Sequence, residues 1–506
     1  MTAPTPTATT GARRATRNAL ALMLASVLSK GALFLWQIVL FNWLGPTETG
    51  VYSTVVSLMA ITAPIVNFGL GVILIRDVAR RPAEIGRYWT AILFLQTGLA
   101  LLAYLSVVGL ALAGGYSPVI VACAAVGGLS LLIDIFGSMG SDLLLAQERM
   151  TITASVEVVH IALRVALAAL ALGAGWGLAG VYLATLFTGV VRSLLLWGAN
   201  LRLKQRPALP LDRALAGTML WHAAPLALNA LLVQAYQHAD KLMMTGIIGE
   251  RSTGYMSPAF TIHFGVVEVL NSTVLIALFP LMSRTFGDGR QSAFGRLTAT
   301  LLRFVLIVSL PVTLLLSIYA DVLIGLLFRA DYAPSGGILR LLIWYTLLAM
   351  VGNVLVQALQ VQNRQRQVVA LRAAGLLLNI LLNGLFLFTL RDPRGAAVAS
   401  VLAEALVLVL LFNRFQAAGW PGAQMMPGLL RVLAAGGAAA LAMLLGGALH
   451  PLVGGAAGLV VYGLALVYGG GLTDDDRGLL AQVLAALPGG GVVLRWWQRG
   501  RSLTTR

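Results

Sequence analysis

The sequence predicts an all-α polytopic membrane protein of about fourteen transmembrane helices, built as two six-helix lobes related by a parallel repeat plus two C-terminal helices. Three observations carry this expectation. Hydrophobic residues make up 58% of the 506 residues and charged residues only 11%, against about 25% charged in soluble domains. Apolar runs long enough to cross a bilayer recur along the whole chain. One short turn occurs twice, in corresponding places.

The runs fall at 18–44, 50–75, 88–113, 118–146, 151–172, 178–200, 217–248, 254–280, 297–319, 337–360, 367–390, 395–415, 427–447 and 451–470. Gly, Pro or clustered Arg mark the short connections between them. The organisation read from this is a disordered cytoplasmic N-terminus at 1–17 and a first lobe at 18–206. A second lobe follows at 207–416, then spans thirteen and fourteen at 417–470 and a basic cytoplasmic tail at 471–506. The first apolar run is too long for a signal-peptide core and reads as a retained membrane helix.

The net charge of +16 is a matter of topology. Arg76, Arg80, Arg81 and Arg87, then Arg202, Lys204, Arg206 and Arg213, lie in loops on the side of the N-terminus. The opposite loops carry Arg251, Arg329, Arg391 and Arg394. Both termini are therefore expected in the cytoplasm, and no nucleic-acid partner is implied. Cys123 is the single cysteine, so neither an intrachain disulfide nor a Cys-based metal site is available. His222, His238 and His263 lack ligand spacing, and no nucleotide-binding loop or nucleophile constellation occurs; the protein does not read as an enzyme and no metal is expected.

The repeated turn is Gly45-x-x-x-Thr49-Gly50 and Gly249-x-x-x-Thr253-Gly254, with Ser53 and Ser257 matching at the same offset. A second echo pairs Gln147-Glu148-Arg149 with Gln362-Asn363-Arg364, and in that register Gly180 falls on Gly395 and Ala184 on Ala399. The order and topological position of the two echoes support a parallel repeat, an architecture that places a substrate cavity where the halves meet and works by rocking between two accesses.

Several segments together resemble the oligosaccharide flippase, or polysaccharide transporter, family of the multidrug/oligosaccharidyl-lipid/polysaccharide (MOP) exporter superfamily. They are NWLGPTETGVYS (42–53), NFGLGVILIRDVAR (67–80), ADKLMMTGIIGERSTGYMS (239–257), LFPLMSR (278–284), VQNRQRQVVALRAAGLLLNILLN (361–383) and GAAVASVLAEA (395–405). The similarity runs over about 15–415. TLRDPRGAAVAS departs from the longer connection usual before span twelve. The resemblance implies a bacterial inner-membrane flippase for polyprenyl-pyrophosphate-linked oligosaccharides in surface polysaccharide biosynthesis, working by alternating access. It also implies membrane lipids, and a polysaccharide polymerase or glycosyltransferases, as partners.

Ionisable groups inside spans are costly, so each is a candidate functional residue. Lys30 with Gln37 seven residues on, and Arg164 in span five, suit a cavity that receives a pyrophosphate. Glu157, His160 and Arg164 form one stripe on span five, and Asp134 in span four, flanked by Ser130 and Ser138, is a partner for Lys30 or Arg164. A stripe of this kind also serves packing alone. In span ten Gln357, with Asn353, Gln360 and Arg364, lines either a sugar path or helix contacts. Glu268 and Asn271 make a further polar pair in span eight.

Asp240 and Lys241 are adjacent and point about 100° apart on a helix, so each needs its own partner. In the related peptidoglycan-precursor flippases the pattern matched by Asp240, Asn379, Asn383 and Ser400 binds a sodium ion. Asn383 departs from that pattern by removing a negative charge, so a cation site here is expected to be weaker or shared with Glu404. No other cofactor is implied; sodium or a proton is the coupling ion this resemblance suggests, against a structural ion pair at Asp240. The carboxylates Asp134, Glu157, Asp240, Glu268 and Glu404 equally fit the alternative of a cation-coupled multidrug antiporter of the same superfamily. A membrane polymerase or ligase fits poorly, because the outer loops are short. The tail segment RWWQRGR (495–501) reads as an interfacial anchor.

Overall fold

The computed structural model describes residues 8–203, 206–270, 276–287, 291–415 and 426–472, with side chains described for 31–203, 206–267, 282–287, 291–415 and 428–472. The expectations for Glu268, Asn271 and the C-terminal tail lie outside these residues. The described chain is helical throughout: α1 (Ala8–Asn67), α2 (Leu70–Arg80), α3 (Ile85–Ala113), α4 (Pro118–Ala146), α5 (Met150–Gly173), α6 (Gly177–Arg202), α7 (Arg213–Ile248) and α8 (Glu250–Leu270). It continues with α9 (Ile276–Gly287), α10 (Gln291–Ile318), α11 (Ala320–Leu327), α12 (Pro334–Val361), α13 (Gln365–Leu390), α14 (Arg394–Arg414), α15 (Met426–Gly447) and α16 (Pro451–Tyr468).

Twelve of the described segments are long and apolar enough to span a membrane. One of these, Gly31–Arg80, is 50 residues long and contains what the sequence suggested were two spans. The two arms meet at Gly45, whose φ of 76° and ψ of 173° are not helical. α1 also begins at Ala8, well before Asn18, where the first span was expected. The Ala and Arg of residues 8–17 are strong helix formers that extend a helix already nucleated in the membrane.

The chain divides into two compact units, Met1–Ser257 and Pro258–Arg506. In the first, α4 packs against α3, α6 and α1, α5 packs against α6 and α1, and α7 runs beside α1. Two apolar clusters fill it. One joins Val51, Val55 and Leu58 of α1 to Val107, Ile120 and Leu131; the other joins Leu70 and Leu74 of α2 to Trp89, Ile92, Met139 and Met219. In the second unit α12 packs against α10 and α14, and α13 against α14. That repeats the pattern of α4 against α3 and α6, with α5 against α6. The hairpin of α15 and α16 is added on α10, where Tyr462 donates to the Ile307 carbonyl (2.9 Å).

The echoes seen in the sequence are echoes of backbone. Gly249 has φ 98° and ψ 168°, close to Gly45, and this region favours glycine. Glu148 (φ 60°) and Asn363 (φ 58°) are both left-handed. Behind each, the next arginine closes the same turn: Arg149 N–H donates to Leu144 (2.9 Å) and Arg364 N–H to Leu359 (2.8 Å).

Within the first unit the two glycine turns meet. A Cβ at Gly50 would strike the carbonyl of Glu250, and one at Gly254 would strike the carbonyl of Pro46. The repeat register relates the two contacts to each other. Ser257 donates to Ser53 (2.7 Å), and Thr245 joins Thr54 (2.6 Å) to Thr253 (2.7 Å). Backbone cannot yield as a flexible side chain can, so Gly254→Ala is expected to destabilise by about 1–3 kcal/mol. Gly98→Ala, where a Cβ meets nothing within 4 Å, is expected to be neutral or to stabilise by up to about 1 kcal/mol. Thermal unfolding of the two variants in detergent checks this.

The segment before α7 is tied to α3 by Thr90, which donates to Ala208 (2.7 Å), and by Arg87, which pairs with Asp212 (2.6 Å). Asp212 also caps α7 by accepting from Leu215 N–H (2.9 Å). That backbone donor, with Arg87 second, holds its carboxyl below the usual carboxylate range. A depressed folded pKa gives stability that is present above the unfolded value, about 4, and lost as the pH falls through the folded value. Asp212→Asn keeps an acceptor for the cap but does not titrate, so it is expected to flatten the acid side of the thermal midpoint against pH.

Candidate functional site

Charged groups converge in the first unit between α4, α5 and α6. On α5 the 3.6-residue repeat places Glu157, His160 and Arg164 on one face, and Arg192 meets them from α6. Its Nε and Nη2 both donate to Glu157 Oε1, at 2.7 and 2.5 Å. Nη1 lies 3.9 Å from Asp134 Oδ1 on α4. His160 Nδ1 is 3.7 Å from Glu157 Oε2 and has no hydrogen-bond partner among the described residues. Gly137 on α4 makes the room, because the guanidinium stands where a Cβ would be. The Arg192 side chain is 14% exposed and that of Asp134 53%, so the cluster opens on the Asp134 side.

Arg164 lies one turn beyond His160, half-buried, within electrostatic reach of Asp134 and of Tyr52 on α1. It has no ion pair among the described residues. Asp134, expected to partner Lys30 or Arg164, lies within ion-pair distance of Arg192, which reaches it across Gly137, and within electrostatic reach of Arg164. Ser138 donates to the Asp134 main-chain carbonyl (2.8 Å). Lys30 is on α1, but its side chain lies outside the described residues. Gln37 is half-buried on the first arm of α1 and is engaged in an interaction.

Arg192 is the residue that the sequence reading passed over. The signal was present, an arginine inside an apolar run, where the cost of a buried charge marks function. It was missed because it shares a helix face with no other charge. Asp142, against Gly71 of α2, was also passed over, although it continues the stripe of Ser130, Asp134 and Ser138 on α4.

Asp240 is buried on α7, and it and Lys241 are both engaged. One turn before them His238 Nδ1 is 3.1 Å from Ser57 Oγ of α1. The second unit brings together three of the other coupling candidates. Asn383 donates to Asn379 Oδ1 (3.1 Å), and Asn379 Nδ2 is 3.5 Å from Ser400 Oγ, all three buried. Glu404, one turn past Ser400, is buried with Oε1 facing Gly352 of α12. Gln357 is half-buried on α12, and its Oε1 has no hydrogen-bond partner among the described residues.

Residues 39–336 match a family described as polysaccharide biosynthesis protein, more than half of the chain. The chain belongs to this family. Its fold is that of the MOP superfamily of transporters and flippases. The structure is similar to that of a lipid II flippase, MurJ, in an inward closed conformation, with a TM-score of 0.71 at 12% identity over 89% of this chain and 98% of the other. It is also similar to a multidrug resistance MATE family transporter in an inward-facing conformation (TM-score 0.58, 16% identity, 78% and 94% covered). A third similar structure is an MOP superfamily transporter from Pyrococcus furiosus (TM-score 0.52, 16% identity, 82% and 95% covered). At these identities the likeness concerns the fold alone. No curated protein sequence matches the chain.

The Arg192–Glu157 pair is partly exposed, so its coupling falls short of the 3–5 kcal/mol or so typical when a fully buried pair is broken. Glu157→Ala and Arg192→Ala are each expected to destabilise, and the double variant to lose less than their sum by about 1–3 kcal/mol. Thermal unfolding of the four proteins measures this. Effects that add within about 0.5 kcal/mol would show the two residues to be uncoupled.

Proposed function

We propose that the protein flips a polyprenyl-pyrophosphate-linked oligosaccharide across the bacterial inner membrane by alternating access, for surface polysaccharide biosynthesis. The observation that carries this reading is Arg164. It is an arginine in the middle of an apolar helix, where charge is costly, with no ion pair among the described residues, beside a cluster whose other arginine is already held. A diphosphate accepts the planar fork of donors that Arg164 offers, with Lys30 and Gln37 as further ligands and Asp134 and Glu157 orienting the guanidinium groups.

Membership of a polysaccharide biosynthesis family supports a glycan-linked substrate, and a flippase of lipid II among the structural neighbours supports a lipid-linked one. Asn379, Asn383, Ser400 and Glu404 of the second unit are proposed to bind a coupling sodium ion or proton, and Asp240 of the first unit is proposed as a coupling carboxylate in its own right. A polymerase or glycosyltransferases are proposed as partners, with both termini in the cytoplasm.

A second reading is a cation-coupled multidrug antiporter. The exposed carboxylate of Asp134 favours it, since an organic cation would pair there.

Purified protein in liposomes carrying a fluorescent undecaprenyl-pyrophosphate oligosaccharide separates the two. Leaflet exchange is expected, and Arg164→Ala is expected to slow it about 10–100-fold, the loss of one charge-assisted contact. If a sodium or proton gradient accelerates exchange, Asp240→Asn is expected to remove that acceleration. No exchange, with extrusion of a cationic dye under the same gradient, would establish the antiporter.

A further inference from the structure

We propose that Arg192 is a second ligand for the substrate diphosphate, and that it exchanges Glu157 for that diphosphate as His160 takes up a proton. This rests on the flippase reading above and deepens it.

The geometry points to an exchangeable pair. Arg192 gives Nε–H and Nη2–H to a single oxygen, Glu157 Oε1. Its Nη1 is 3.9 Å from Asp134, beyond hydrogen-bond length, and fills the space a side chain at Gly137 would take. Glu157 thus holds two of the five N–H groups of the guanidinium, and the others are there for an arriving anion before the Glu157 contact breaks. Arg164 is four residues past His160 on the same face of α5, so two guanidinium groups flank the His160–Glu157 pair.

Charge arithmetic supplies the proton. Arg164 and Arg192 balance Asp134 and Glu157 while His160 is neutral. A diphosphate esterified at both ends brings two negative charges, and among apolar helices added charge is costly; a proton on His160 offsets one of the two. The groups facing His160 are Glu157 and Arg164 on α5, Arg192 on α6 and Asp134 on α4. Asp142, farther along α4, is within reach of Arg192, and Tyr52 of α1 is within reach of Arg164. The α1 side chains before Gly31 lie outside the described residues.

Among the groups that face Glu157, the imidazole is the one that can add a proton and become a cation. Its Nδ1 already stands 3.7 Å from Glu157 Oε2. When the diphosphate takes Arg192, Glu157 loses its counter-charge, and His160 restores it by binding a proton from solvent. One N–H bond forms, no bond of the substrate breaks, and an imidazolium–carboxylate pair remains.

The test is titration calorimetry of the purified full-length protein in detergent, with geranyl-diphosphate-linked N-acetylglucosamine as probe. Near neutral pH it is run in phosphate and in Tris, whose heats of ionisation differ, so the difference in heat counts protons. Uptake of about 0.5–1 proton per bound probe is expected. His160→Gln, close in size and unable to titrate, is expected to cut uptake below about 0.2. Arg192→Gln is expected to weaken binding about 10–100-fold. Glu157→Gln frees Arg192 in advance, so it is expected to bind at least as tightly as the parent, without uptake. Binding with equal heats in the two buffers, or uptake unchanged in His160→Gln, would overturn the exchange and leave the flippase reading standing. No binding by the parent protein would overturn that reading, and the exchange with it.

Discussion

The second arm of α1 and the start of α8 cross at a point where neither chain has a side chain. Gly50 faces the carbonyl of Glu250 and Gly254 that of Pro46, and much of the first unit takes its position from this. The contact is close enough for the hydroxyls around it to satisfy one another, as they must where lipid offers no water. Ser53 reaches Ser257, and Thr54 reaches Thr253 through Thr245. α7 is thereby held against α1, which fixes His238 beside Ser57 and sets the depth of the buried Asp240. α1 in turn packs on α3, α4 and α5. The polar cluster between α4, α5 and α6 is thus built on the same frame.

How much of this a reader can find in the sequence depends on whether a feature is local. The repeat was legible because the backbone imposes residue type. Gly45 and Gly249 share a conformation open chiefly to glycine, and Glu148 and Asn363 share a left-handed turn. The amide pair Asn379 and Asn383 was legible because residues four apart lie on one face of a helix, and the structure joins them. The charged stripe on α5 was legible for the same reason. Its partner was not. Arg192 and Glu157 are on different helices, and helical periodicity describes one helix at a time. Gly137 explains why they can meet, but in the sequence it is one small residue among the 55 glycines of the chain.

The same distinction accounts for the ends of elements. Gly45 announces a break, and a break is there, yet the helix resumes at once with Pro46 in its first turn, the position where proline fits. A turn motif fixes the dihedral angles of its own residues. It does not fix whether the chain turns back or goes on, which packing against α7 decides.

The two units keep the backbone of the repeat and differ in what they place on it. In the register that pairs Gln147 with Gln362, Gly137 of α4 corresponds to Gly352 of α12. Both glycines leave a notch, and each notch faces a side chain from the helix that packs on it. In the first unit that side chain is Arg192; in the second it is Glu404, with Oε1 3.6 Å from where a Cβ would stand on Gly352. The same register sets Arg164 against Asn379 and Asp142 against Gln357, charges in one unit and neutral amides in the other. A guanidinium in a notch suits an anionic group, and a carboxylate in one suits a small cation. The repeated notch thus carries opposite charge in the two units. The two notches differ in depth: a Cβ on Gly137 would displace Arg192, whereas one on Gly352 would meet Glu404 Oε1 at ordinary van der Waals distance, 3.6 Å.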